Sequence, residues 1–108
     1  MAKSQIADAE EIRDRLAEEF PQIVDVKIFL ISLSRKDHVL GGRTYPEENK
    51  ISVLRGKRQE IRSTLVHELA HILQWKRHRK KGHGLEFKRS LGELTECFNR
   101  NFKPMLDL

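Results

Sequence analysis

The chain has 108 residues, 21 Lys and Arg against 16 Asp and Glu for a net charge of +5, and a single cysteine, with 34% of its residues charged. That length allows one domain with a modest core and excludes a second lobe, so any substrate cleft must lie on the domain's surface. A lone Cys97 excludes an internal disulfide and points to a reducing cytoplasm, and no apolar run approaches the length needed to cross a membrane.

Met1 to Glu11 is too charged for a secretory leader, so a soluble protein without a membrane partner is expected, as a monomer or weak homodimer. The Lys, Glu and Arg bias with little Asn, Gln or Cys is compatible with a thermophilic source. Cys97 falls in an amphipathic helical run, where a cysteine serves as core or flank and makes a poor nucleophile.

In chain order, Ser4 is placed to cap a first helix. Ile6, Ala9, Ile12, Leu16 and Phe20 recur at helical spacing, and the helix should stop before Pro21 and lay this stripe on a sheet. Ile23 to Leu33 reads as a strand, alternating at first and then wholly apolar, which suits a central strand covered by helices. Ser34 to Asp37 is a polar turn. Val39 to Tyr45 forms a second strand weakened by Gly41 and Gly42, where a bulge, an exposed edge or the close approach of another backbone is expected. After a turn at Pro46 to Asn49, Lys50 to Leu54 is a short third strand with Ile51 and Val53 on one face and Ser52 on the other.

From about Arg58 the helical period takes over and runs through Leu65-Val66-His67-Glu68-Leu69-Ala70-His71-Ile72-Leu73. The spacing H-E-x-x-H puts His67 and His71 one turn apart on one helix face, where two imidazoles can grip a single metal ion, and Glu68 can reach a water beside it. The surrounding residues are apolar nearly all round, so the helix is buried and its polar trio needs partners that a solvated face would not supply. Two neutral nitrogen ligands with an open position suit a catalytic zinc ion, with Glu68 as general base.

A third ligand should lie downstream, among His78, His83, Glu86, Glu93 and Glu96. His78 is seven residues beyond His71, roughly 10 Å along an unbroken helix, too far to share an ion. His83 sits between Gly82 and Gly84, ahead of a new helical period. It can return to the metal only if the first helix stops near Arg77, making His78 to Lys81 a returning loop. Gly-His-Gly could instead be an ordinary helix C-cap, and Glu93, mid-way along the next helix, remains an alternative ligand or an orienting partner.

His67-Glu68-Leu69-Ala70-His71 followed by Gly82-His83-Gly84-Leu85-Glu86-Phe87 resembles the SprT-like metallopeptidases, in which HExxH is followed by a loop and an HGxxF segment. In size and layout the chain looks most like the compact minigluzincins. The resemblance implies an α+β, minimal zincin-like domain over residues 1–101, with one zinc ion held by His67, His71 and His83 and with Glu68 as base and acid. It implies a zinc-dependent endopeptidase acting on peptide or protein. Minigluzincins also occur as latent forms held by C-terminal segments, which bears on residues 102–108, the apolar tail Phe102 to Leu108. That tail either caps the core or lies along the cleft as a pseudo-substrate with Asp107 near the zinc.

A substrate peptide is expected antiparallel to the edge strand 39–45, with Tyr45, His38 or Arg43 as the oxyanion donor. The alternative is a zinc-containing nucleic acid or protein binding module using the basic run Lys76 to Lys81. A structural zinc site would normally use four protein ligands rich in Cys, and this chain has one Cys.

Overall fold

A computed structural model describes residues 4–32 and 41–107. The turn at Ser34 to Asp37, His38 and the first two residues of the expected second strand lie outside the described residues.

The architecture is α+β: three α-helices and one three-stranded mixed sheet among the described residues. Helix α1 spans Gln5–Ala17, and the Ser4 hydroxyl accepts from the Ala7 N–H at 3.2 Å, satisfying one of the free donors at its start. Its stripe of Ala9, Ile12 and Leu16 is fully buried. Strands follow at Lys27–Ile31 (β1), Gly42–Tyr45 (β2) and Lys50–Leu54 (β3), then the long helix α2 at Arg58–His78 and helix α3 at Leu85–Asn101. Around α2, Leu65, Leu69, Ile72 and Leu73 meet Leu94 and Phe98 of α3 in a core from which solvent is excluded. Each such side chain contributes roughly 1.5–3 kcal/mol of transfer free energy. Among the described residues no helix is long and apolar enough to cross a membrane.

The sheet departs from the sequence reading in two respects. The apolar run from Ile23 is not one strand: Pro21–Ile23 is a 3-10 turn and β1 begins only at Lys27. Ile23 and Val26 are fully buried, yet they reach the core from successive turns, with Val26 N–H bonded to the Ile23 carbonyl at 3.2 Å, and Val24 is exposed. Core packing by a turn has thus imitated strand alternation. Nor is β1 central. The order is β1-β3-β2, with β1 parallel and β2 antiparallel to β3. The middle strand is the short β3, whose Ile51 and Val53 fill the core, whereas Phe29 and Ile31 of β1 point away from it and remain 50% and 36% exposed. The other edge belongs to β2, which pairs on one side only among the described residues.

The C-terminal segment caps the core. Leu106 is buried, its N–H and carbonyl are both bound by the Asn99 side chain at 2.7 and 2.9 Å, and Phe102 stacks on Phe98 at 5.0 Å between ring centroids. Arg62, buried and paired with Asp8 through two bonds of 3.0 and 2.8 Å, also donates to the Lys103 carbonyl at 3.3 Å. The tail therefore lies against the start of α2 and the end of α3, and none of residues 102–107 lines the cleft beside His67. Deleting residues 102–108 removes one buried leucine and at least two hydrogen bonds, together about 3 kcal/mol. The expected outcome is a melting temperature lower by about 10 °C or more. Thermal unfolding of the truncated chain checks it.

Candidate metal centre

Helix α2 carries His67 and His71 on one face, half-buried, with Glu68 beside them 7% exposed. The helix ends one residue past the expected Arg77: Arg79 takes a left-handed conformation (φ 54°) as its C-cap and donates to the Trp75 carbonyl. Gly82 then adopts φ +94°, which a side chain would oppose, and the chain doubles back. This return brings His83, exposed on its loop, to the two helix histidines.

The three imidazoles converge, each offering one nitrogen with all three within 4.8 Å of one another. The His67 and His83 Nε2 atoms are 3.3 Å apart. Two corners of a tetrahedron with metal–nitrogen bonds of 2.0–2.1 Å would be about 3.3–3.4 Å apart, so this pair fits a tetrahedral ion. Beneath them lies Phe87, buried, its ring centroid 4.9, 4.3 and 4.7 Å from those of His67, His71 and His83, and stacked on His71 at 27°. The phenylalanine of the Gly-His-Gly-x-x-Phe segment is thus the apolar floor that packs all three rings.

Burial keeps the two donors on α2 neutral. Burial first, and then the neighbouring His67 and His83 rings, push His71 down to about 4, and burial with His83 lowers His67. At neutral pH both are in the unprotonated state that a metal requires. Burial raises Glu68 above the ordinary carboxylate range, against a hydrogen bond from the Thr44 hydroxyl to its Oε1 at 2.9 Å. Three imidazoles, with a carboxylate alongside, are the donor set of a catalytic zinc ion, and the residues present fit one.

The other sequence candidates lie elsewhere. Glu93 pairs with Arg77, and Glu86 with Lys80 at 2.9 Å, so neither carboxylate joins the cluster. His78 sits at the end of α2 and Glu96 is exposed on α3, and neither belongs to the histidine group. Tyr45 and Arg43 alternate onto the outer face of the sheet with Phe29, Lys50 and Ser52, whereas Gly42 and Thr44 face α2. The expected oxyanion donors on β2 therefore point away from the cleft, and His38 lies outside the described residues. Cys97 is buried, donates to Glu19 at 2.9 Å, and has its thiol pushed up to about 11 by burial and that carboxylate, the opposite of an activated nucleophile.

The cleft is lined by Gly41, Gly42, Ser63, Thr64, Glu68 and the three histidines. A second depression, lined by Thr44, Pro46, His71, Lys80 and Lys81, continues it along β2. The basic run that borders this end carries little free charge: Lys76 pairs with Asp25 at 3.3 Å, Arg77 with Glu93, Lys80 with Glu86 and Lys81 with Glu47 at 2.7 Å, while Arg79 lies over Trp75.

Compared with known proteins, residues 10–105 match the model of the SprT-like family. No curated protein and no solved structure matches the chain.

Proposed function

The chain belongs to the SprT-like family, and from that membership we propose that it is a zinc-dependent metalloendopeptidase hydrolysing peptide bonds in peptides or proteins. The observation that carries the reading is the convergence of His67, His71 and His83 beside Glu68 in a surface cleft open along a strand edge. His67, His71 and His83 would hold the ion, which when bound supplies Lewis-acid polarisation of the scissile carbonyl and acidifies water.

The remaining chemistry falls to the chain's own groups. Glu68, buried and with a raised proton affinity, is suited to take the proton from the attacking water and deliver it to the leaving amine. The edge of β2 that has no partner strand among the described residues is suited to align an extended peptide by main-chain hydrogen bonds across the cleft. Phe87 and the α2 backbone keep the imidazoles fixed, so the site need not reorganise during the reaction. Phe102 and Leu106 of the tail pack against the core, and no inhibitory role is proposed for it.

The rival reading, a zinc-containing module that binds nucleic acid through the basic run, loses its main support because four of those cations have acidic partners. The test is hydrolysis by the zinc-loaded protein of an internally quenched peptide and of an unfolded protein, compared with a small ester. Cleavage of both peptide substrates is expected. Turnover of the ester alone would make the protein a zinc hydrolase of another kind.

A further inference from the structure

Strand β2 reaches the site at two points, and neither belongs to the ligand set. The Thr44 hydroxyl lies 2.9 Å from Glu68 Oε1 and 3.2 Å from the Glu68 carbonyl oxygen. Two residues earlier on the same face, a Cβ on Gly42 would come within 2.7 Å of the Ser52 carbonyl oxygen, 2.8 Å of Thr64 Cγ2 and 3.1 Å of Glu68 Cγ. Real Cβ atoms essentially never come as close as the first two, so β2 lies this near to β3 and α2 only because position 42 has no side chain. Glu68 is thereby enclosed between its own helix and the inner face of β2.

We infer that Thr44 is the positioning residue for the Glu68 carboxylate, and that Gly42 provides the close approach that makes the contact possible. A glutamate has three rotatable side-chain bonds, and a general base is effective only when its oxygen stands within hydrogen-bond reach of the proton it takes. With Oε1 tied to Thr44, the carboxylate is held in one rotamer and proton transfer falls to Oε2. The same strand whose free edge would receive the peptide thus fixes the base that acts on it, so the two are aligned by one rigid element rather than by a loop. This assignment rests on the peptidase reading for its kinetic consequences and on the Thr44–Glu68 contact alone for its structural one.

The experiment compares Thr44→Val, which is nearly isosteric but cannot donate, and Thr44→Ser, which can, in the full-length zinc-loaded protein, by crystal structure and by peptidase kinetics. In Thr44→Val the Glu68 carboxylate is expected to leave its position against β2 or to split between rotamers. The turnover number should fall roughly ten- to a hundredfold, as for other groups that orient a site residue, with KM and the zinc content retained. Thr44→Ser should restore both the rotamer and most of the turnover. An unmoved Glu68 in Thr44→Val overturns the assignment whatever the activity, as does a loss that Thr44→Ser fails to rescue, or one shared by KM and zinc content. If the wild-type protein cleaves no peptide while Glu68 still moves in Thr44→Val, the peptidase reading fails and the positioning role stands.

Discussion

Replacement of Glu68 by Gln should leave zinc binding intact and lower peptide turnover by roughly 10²–10⁴-fold, the usual worth of a placed general acid–base group. The substitution preserves the shape of the side chain, and the carboxamide oxygen can still accept the Thr44 hydroxyl bond now made at 2.9 Å. Packing against Gly42 and Thr64 is also unchanged, so neither the fold nor the three imidazoles has reason to move. What disappears is the only group among the described residues that pairs a raised proton affinity with a place in the cleft wall. A carboxamide cannot take up the water's proton at neutral pH. Steady-state assays of the zinc-loaded variant, with metal content measured on the same sample, decide the matter. Turnover within tenfold of the wild type would remove Glu68 from the chemistry.

The second large effect concerns His83. Its substitution by Ala should lower zinc affinity by more than about a hundredfold, beyond the ten- to hundredfold that groups behind the ligands usually cost. The residue is exposed on its loop, so the fold should be little affected. The two histidines left on α2 would form an incomplete site. Glu93→Ala is the matched control, because Glu93 is exposed and paired with Arg77 of α2; its zinc affinity should stay within a fewfold of wild type. Competition with a chromogenic chelator measures both. A His83→Ala protein that binds zinc as the wild type does, or a Glu93→Ala protein that does not, would reverse the assignment of the third ligand.

Much of the fold could be read from sequence because the signals were covalent or periodic. Ser4 and the apolar stripe define α1, and Gly82 with the reach of the chain demands that α2 end early, which it does at His78. The grouping of His67, His71 and His83 follows from that constraint and from the Gly-His-Gly segment. The sheet was less legible. Ile23 and Val26 are apolar because a turn presses them into the core, and one sequence does not distinguish that from a strand. The length and apolarity of β1 suggested a central strand, but position in a sheet is decided by long-range pairing, and the shorter β3 takes the middle.

The cleft's other residues were hidden for a related reason. In Gly42-Arg43-Thr44-Tyr45 neither alternating pair is apolar, so no hydrophobic signal says which pair faces α2. Tyr45 and Arg43 carry the more reactive groups, yet the face that meets Glu68 is the one with no bulk at position 42. Two adjacent glycines before a hydroxyl residue were the available clue. The tail posed the same ambiguity, since Phe102 and Leu106 could fill a cleft or a core, and only the Asn99 and Arg62 bonds decide for the core.

On the proposed function, His67, His71 and His83 hold a zinc ion on which peptide hydrolysis depends. It is tested most directly by measuring peptide turnover while zinc is titrated into metal-stripped wild-type protein. Turnover should be absent at the start, rise with added zinc and reach its plateau at about one equivalent per chain, as a single three-histidine site requires. Turnover that is undiminished in the stripped protein, or that never appears at any zinc level, would contradict it.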